Sequence, residues 1–231
     1  MKRTISIACA LVLVLGLCVS GALAYTINDS SSDAIGAEFE SYGINVLNYT
    51  PGVNSGAISF QLFTDYPQAG ITVGAWATTA ADLFIKETYH GADYLWAIPL
   101  VSRTGFDAGT LYAVGTYKIS DDFDPSPGSF IYNHNVPVQI ATVGDNYGWT
   151  SMGGGSVSWN ALVGNPAWQV DVVTGGVYQD DPNGKWCITW GTATCANDVV
   201  HGCVPIPPSV LLMGSGLLGL GLLSLRKKTE V

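Results

Sequence analysis

Positive charge is scarce in this chain. Nine Lys and Arg stand against eighteen Asp and Glu in 231 residues, and charged residues of every kind make up only 12%. Five of the nine bases sit at the two ends, which leaves Lys86, Arg103, Lys118 and Lys185 for everything between. Seventeen of the acids fall in that middle stretch, so its net charge is about −13. A surface of that sign repels phosphate backbones and anionic lipid, and no nucleic-acid partner is expected. Helical periodicity is missing over any useful window, which argues against a helix bundle.

The usual catalytic signatures are missing too. No G-x-S-x-G elbow occurs, and Gly153-Gly154-Gly155-Ser156 reads as a flexible turn. No His-Glu-x-x-His pair exists, and no Cys-x-x-Cys pair with histidines at zinc spacing. Glutamate between the ends is limited to Glu38, Glu40 and Glu87. Glycoside hydrolysis needs two facing carboxylates. Glu38 and Glu40 would share one face of a strand, although a solvated face explains them more simply. His90, His134 and His201 each sit near loop residues and read as surface histidines. The chain is expected not to be an enzyme, with glycan hydrolysis as the remaining alternative.

What is present is concentrated first at the termini. Lys2-Arg3, the apolar run Ile5 to Val19 and the small-x-small site Ala22-Leu23-Ala24 form a signal peptide over residues 1–24. Signal peptidase would then leave Tyr25 as the mature N-terminus. At the other end stand Val204-Pro205-Ile206-Pro207-Pro208-Ser209, a near-unbroken apolar run from Val210 to Leu225, and Arg226-Lys227-Lys228. Sixteen residues of helix span about 24 Å at 1.5 Å each, and counting from residue 208 approaches a ~30 Å hydrocarbon core. The run is apolar all round rather than on one face, which suits lipid. The basic cluster acts as a stop-transfer signal and stays cytoplasmic, so the preceding chain lies outside.

This tripartite tail, residues 204–231, resembles the PEP-CTERM sorting signal of Gram-negative bacteria. Val204, Pro205 and Pro207 match the Val-Pro-Glu-Pro motif, and Leu211 to Leu220 matches its Leu- and Gly-rich helix. Ile206 departs from the pattern, standing where the motif has Glu. The resemblance implies export, an inner-membrane intermediate held by the helix, recognition by an exosortase, and delivery to the cell surface or extracellular matrix. Trp190-Gly191-Thr192 with Cys195-Ala196-Asn197-Asp198-Val199 also resembles segments that precede the tail in some PEP-CTERM proteins.

Residues 25–203 read as one all-β domain. Ile58, Phe60 and Leu62 alternate toward one face, as do Val136, Val138 and Ile140, then Val157, Trp159 and Ala161, then Trp168, Val170 and Val172, and finally Trp186, Ile188 and Trp190. Pro137 marks an edge strand. Further strands are expected over 43–49, 71–77, 82–86, 94–100 and 111–119, punctuated by turn residues. Many short strands at regular spacing suggest a single sandwich of jelly-roll type.

Cys187, Cys195 and Cys203 remain after signal removal, and an exported protein permits one disulfide. Cys187 with Cys195 is the expected pair, and Cys195 with Cys203 the alternative. No cofactor is required; calcium is the ion for which turns offer oxygen ligands, at Asp121, Asp122 and Asp124, with a second acidic turn at Asp180-Asp181-x-Asn183. Hydrogen-bonded turns are the simpler reading of both. Seven Trp and eleven Tyr raise the prospect of sugar stacking on Trp76, Trp96, Tyr147 or Trp149. The functional expectation is an exported structural or adhesive surface protein. A carbohydrate-binding module for extracellular polysaccharide is the alternative.

Overall fold

The computed structural model describes residues 23–29, 34, 36–49, 58–73, 76–123, 133–144, 154–174 and 185–204. The expected membrane helix 208–225, the motif residues Pro205, Ile206 and Pro207, the basic residues Arg226, Lys227 and Lys228, and Ala22 lie outside them. Among the described residues no helix is long and apolar enough to cross a membrane. Regular structure there is strand, with two short 3-10 turns at Ala37–Phe39 and Ser120–Phe123. The all-β expectation therefore holds.

The strands in chain order are β1 (Leu23–Asn28), β2 (Ser41–Tyr49), β3 (Ile58–Thr64), β4 (Ile71–Val73), β5 (Trp76–Thr78), β6 (Leu83–Tyr89) and β7 (Ala92–Ile98). They continue with β8 (Tyr112–Ile119), β9 (Pro137–Val143), β10 (Ser156–Ala161), β11 (Trp168–Thr174), β12 (Lys185–Gly191) and β13 (Val199–Val204). One sheet has the order β1-β2-β3-β11-β10 and the other β13-β12-β6-β7-β8-β9, while β4 and β5 make a separate hairpin. Every pairing is antiparallel. The expected strand 71–77 is thus two three-residue strands, and β1 and β13 are strands that periodicity did not reveal. Four of the six β1 residues follow the expected cleavage point after Ala24.

Alternation explains the core. Ile58, Phe60, Leu62, Val170 and Val172 of the first sheet are fully buried, with Ile44 and Val46 beside them. They meet Leu83, Ile85, Trp96, Ile98, Ile188 and Trp190 of the second sheet in one apolar cluster. Each large side chain so buried contributes roughly 1.5–3 kcal/mol. Val200, Gly202 and Val204 alternate inward from β13, and a Cβ at Gly202 would stand 2.6 Å from Ile27. The last strand therefore closes against the first sheet through a missing side chain.

A two-residue turn joins β6 and β7. His90 and Gly91 both take positive φ, 48° and 79°, the geometry whose twist matches a tight hairpin. The next hairpin is less regular. The β8–β9 ladder shifts register at Val114/Thr116, Thr116/Tyr117 and Lys118/Ile119. Gly115 and Gly144 touch there, since a Cβ on Gly144 would lie 2.8 Å from Gly115. The bulges bend β8, and β9 covers the outer face of β6 and β7. Phe84, Ala97, Val114 and Ile140 form a second core in that fold-back. Pro137 opens β9, and β9 is an edge strand as its proline requires.

Two expectations need correction. Glu38 and Glu40 do not share a strand face. Glu38 is exposed within the first 3-10 turn, and Glu40 caps that turn with 7% exposure. Cys187 pairs with Cys203, not with Cys195. The antiparallel register sets Cys187 directly opposite Cys203, and their Cα atoms are 3.8 Å apart. Cys195 lies instead in the 192–198 turn, half-buried against the Phe39 and Tyr66 cluster. Burial pushes its thiol up from the ordinary cysteine range.

Candidate functional site: a groove across the second sheet

The outer face of the second sheet is built by residues that alternate away from the core. Register sets them in rows across the strands. Ala97, Phe84, Thr189 and His201 are successive neighbours in one row. Leu95, Lys86, Cys187 and Cys203 make the next. The fold-back of β8 and β9 raises a wall beside these rows, and the result is an open groove of about 540 Å³. Tyr117 from β8 and Pro137 from β9 stand in the wall.

Tyr117 is 44% exposed. Its ring meets Phe84 edge-on, with centroids 5.9 Å apart. The ring is thus held by packing on Phe84 while remaining partly exposed to solvent. The polar groups come in fixed pairs. Lys86 Nζ lies 2.8 Å from Asp93 Oδ2, and Thr88 donates its hydroxyl to Asp93 Oδ1 at 2.8 Å. The ammonium, then the hydroxyl, hold the Asp93 carboxyl below the usual carboxylate range. Thr189 Oγ1 and His201 Nδ1 share a hydrogen bond of 2.8 Å. The disulfide Cys187–Cys203 and Leu95 supply apolar floor. Together these groups offer one partly exposed aromatic ring, an apolar base, and donors and acceptors whose directions are set by partners.

Two buried polar clusters stand elsewhere. Asp82 is 1% exposed. Arg103 donates to it through both Nη1, at 2.7 Å, and Nη2, and the Ile140 amide donates to Oδ2 at 2.8 Å. The guanidinium also lies 4.9 Å from the Phe106 ring centroid. Burial raises the Asp82 carboxyl, and the guanidinium and amide oppose that rise. This cluster ties the start of β6, the loop after β7 and β9 together. In the second cluster Ser41 Oγ lies 2.7 Å from both Asp29 Oδ2 and Asp198 Oδ2. The Ser41 amide also donates to Asp198. Thr192 donates its amide to the Asp198 carbonyl, so the 192–198 turn is a buried joint between the sheets. That is the structural content of the Trp190–Val199 segment.

The aromatic residues singled out from sequence fall elsewhere. Trp96 has no exposed surface, and its indole donates to Glu87 Oε2 at 3.1 Å. It is a core residue and cannot stack a ligand, because β7 turns it toward the first sheet. Trp76 lies in β5, and nothing is described of its side chain. Tyr147 and Trp149 are outside the described residues. Asp121 and Asp122 are turn residues. Asp121 accepts from the Asn135 amide at 2.6 Å and meets His134 at 2.6 Å, and Asp122 accepts from the Ile119 amide. The amide, then the imidazole, hold the Asp121 carboxyl low. Asp124 and the 180–183 turn are outside the described residues. Among the described residues no group of three or more His, Cys, Asp or Glu is arranged to hold a metal ion.

Sequence reading missed Tyr117. Alternation from Ala113 would point it inward, and only the bulges around Gly115 turn it out. Comparison with protein-family models, curated proteins and solved structures finds no match.

Proposed function

We propose that this chain is an exported surface or matrix protein of adhesive type. Its β domain is read as a jelly-roll-like sandwich, displayed outside a Gram-negative cell and delivered by exosortase-type sorting. The observation that carries the reading is the junction at Val204. That residue, the first of the Val-Pro-x-Pro motif, is 2% exposed and ends β13, and the first proline of the motif follows at the next position. A domain whose last core residue abuts a proline-led tail is what a sorting signal appended to a finished fold requires. The shared core of the two sheets and the crossed pairings of β3 with β11 and β6 with β12 support the sandwich reading.

The test is to express the full chain with and without a partner exosortase and to weigh the product. Loss of the mass of residues beyond the Val204 junction, only when the exosortase is present, is expected. A tail of unchanged mass in both strains would leave a plain membrane anchor. N-terminal sequencing of the exported protein should begin at Tyr25.

A further inference from the structure

We propose that the groove on the outer face of the second sheet binds a neutral, hydroxyl-rich glycan chain. This deepens the adhesive reading and rests on it for where the ligand is met. The argument starts from size and shape. Four strands, β13, β12, β6 and β7, form the floor, and at about 4.8 Å between neighbours that floor is roughly 14 Å across. A volume of about 540 Å³ falls among those of small-molecule sites. The groove is open to solvent rather than enclosed, so a ligand that extends beyond it is not excluded by a closed wall above it.

Chemistry narrows the class. Tyr117 presents a partly exposed aromatic ring, and Leu95 with the disulfide presents an apolar floor. A pyranose ring has an apolar face of C–H groups that suits such surfaces. Its hydroxyls both donate and accept. Lys86, Asp93, Thr189 and His201 are arranged as donor–acceptor pairs that serve such groups without a compensating charge on the ligand.

Charge narrows it further. The lining carries one ammonium and one carboxylate, and they are paired with each other. The surrounding domain has a net charge of about −13. An anionic polymer would be repelled on approach and would find no unpaired cation in the lining. A polycation would be drawn to the acidic surface as a whole and not to this groove. A neutral glycan is the occupant that fits both facts.

The experiment uses the full-length chain in a sugar-free zwitterionic detergent, run by affinity electrophoresis through gels holding neutral glucan, mannan or xylan. Retardation by at least one of them, unchanged between 50 mM and 500 mM NaCl, is expected. Tyr117→Ala should weaken it about tenfold, and Tyr117→Phe should stay within threefold of the parent. Thr189→Val should weaken binding by removing one partner of the His201 pair. His201→Ala serves if Tyr117→Ala alters the melting temperature, because His201 is exposed on an edge strand. Retardation by none of the three, or binding that survives both Tyr117→Ala and His201→Ala, overturns the proposal. So does binding only to an anionic polysaccharide with loss in salt. Sorting is read separately from product mass, so failure of binding leaves the delivery reading standing, and the reverse.

Discussion

Arg103 is one of four cations in a strongly acidic domain, and it is committed to a buried partner. Removing one member of such a pair strands the other charge in the core, which costs about 3–5 kcal/mol. Arg103→Met should therefore lower stability by that amount in urea denaturation, while Arg103→Met with Asp82→Leu should recover most of it. Equal loss in single and double variants would mean that packing on Phe106, not charge, is what Arg103 supplies. Tyr66 permits a pH test. Burial pushes its phenol up to about 12 from an ordinary value of 10, and its hydroxyl bonds Thr78 at 2.8 Å. The folded state thus favours the neutral phenol. The resulting stability is fully present below pH 10 and is lost as pH rises through about 12. Tyr42 is raised to about 12 as well, so the informative quantity is a difference. Between pH 9 and 11.5 the parent should lose stability faster than Tyr66→Phe, and parallel curves would refute the assignment.

Among the elements, β13 shows most clearly what a linear pattern conveys and what it hides. Strands such as β3 and β11 were legible because each places apolar residues at period two against a filled core. In β13 the middle inward position is Gly202, so the alternation Val200-Gly202-Val204 carries only two apolar marks, and the strand runs straight into the proline motif. Without that strand the register opposing Cys187 and Cys203 was not visible, and the nearer cysteine was the natural choice. The groove was hidden for a related reason. Its wall depends on bulges in β8, and bulges arise from pairing between distant segments, not from the pattern within one. Proline in β9, by contrast, announced an edge because it acts through its own missing donor. The corrected bridge has a direct check. Peptide mapping without reductant should recover Cys187 joined to Cys203, with Cys195 as the thiol that alkylates only slowly until the chain unfolds. Cys187→Ser with Cys203→Ser should cost about 3 kcal/mol, the value for a loop of this 16-residue separation. Recovery of a Cys187–Cys195 peptide would refute the pairing.

At the scale of the molecule, charge is sorted by position, with most bases at the ends and the acids between. On the proposed reading, that arrangement gives the terminal signals cationic flanks and leaves an acidic stretch between them that repels other copies of itself. Replacing Arg226, Lys227 and Lys228 with Ser should let the tail slip past the inner membrane, read by cell fractionation, and unchanged retention would count against a stop-transfer role. The bridge at the end of β13 also bears on how the domain would carry mechanical load. Any pull entering through the tail reaches Val204 first and Cys203 one residue later. There the covalent path divides, and tension passes directly to Cys187 in β12, which is flanked by β13 and β6. Residues 188–202 are thereby shielded from extension. A tether that would otherwise peel an edge strand is transferred to an interior one. In a single-molecule pulling trace, reduction of the bridge should add roughly 50 Å of contour length from those residues and lower the force of the first rupture.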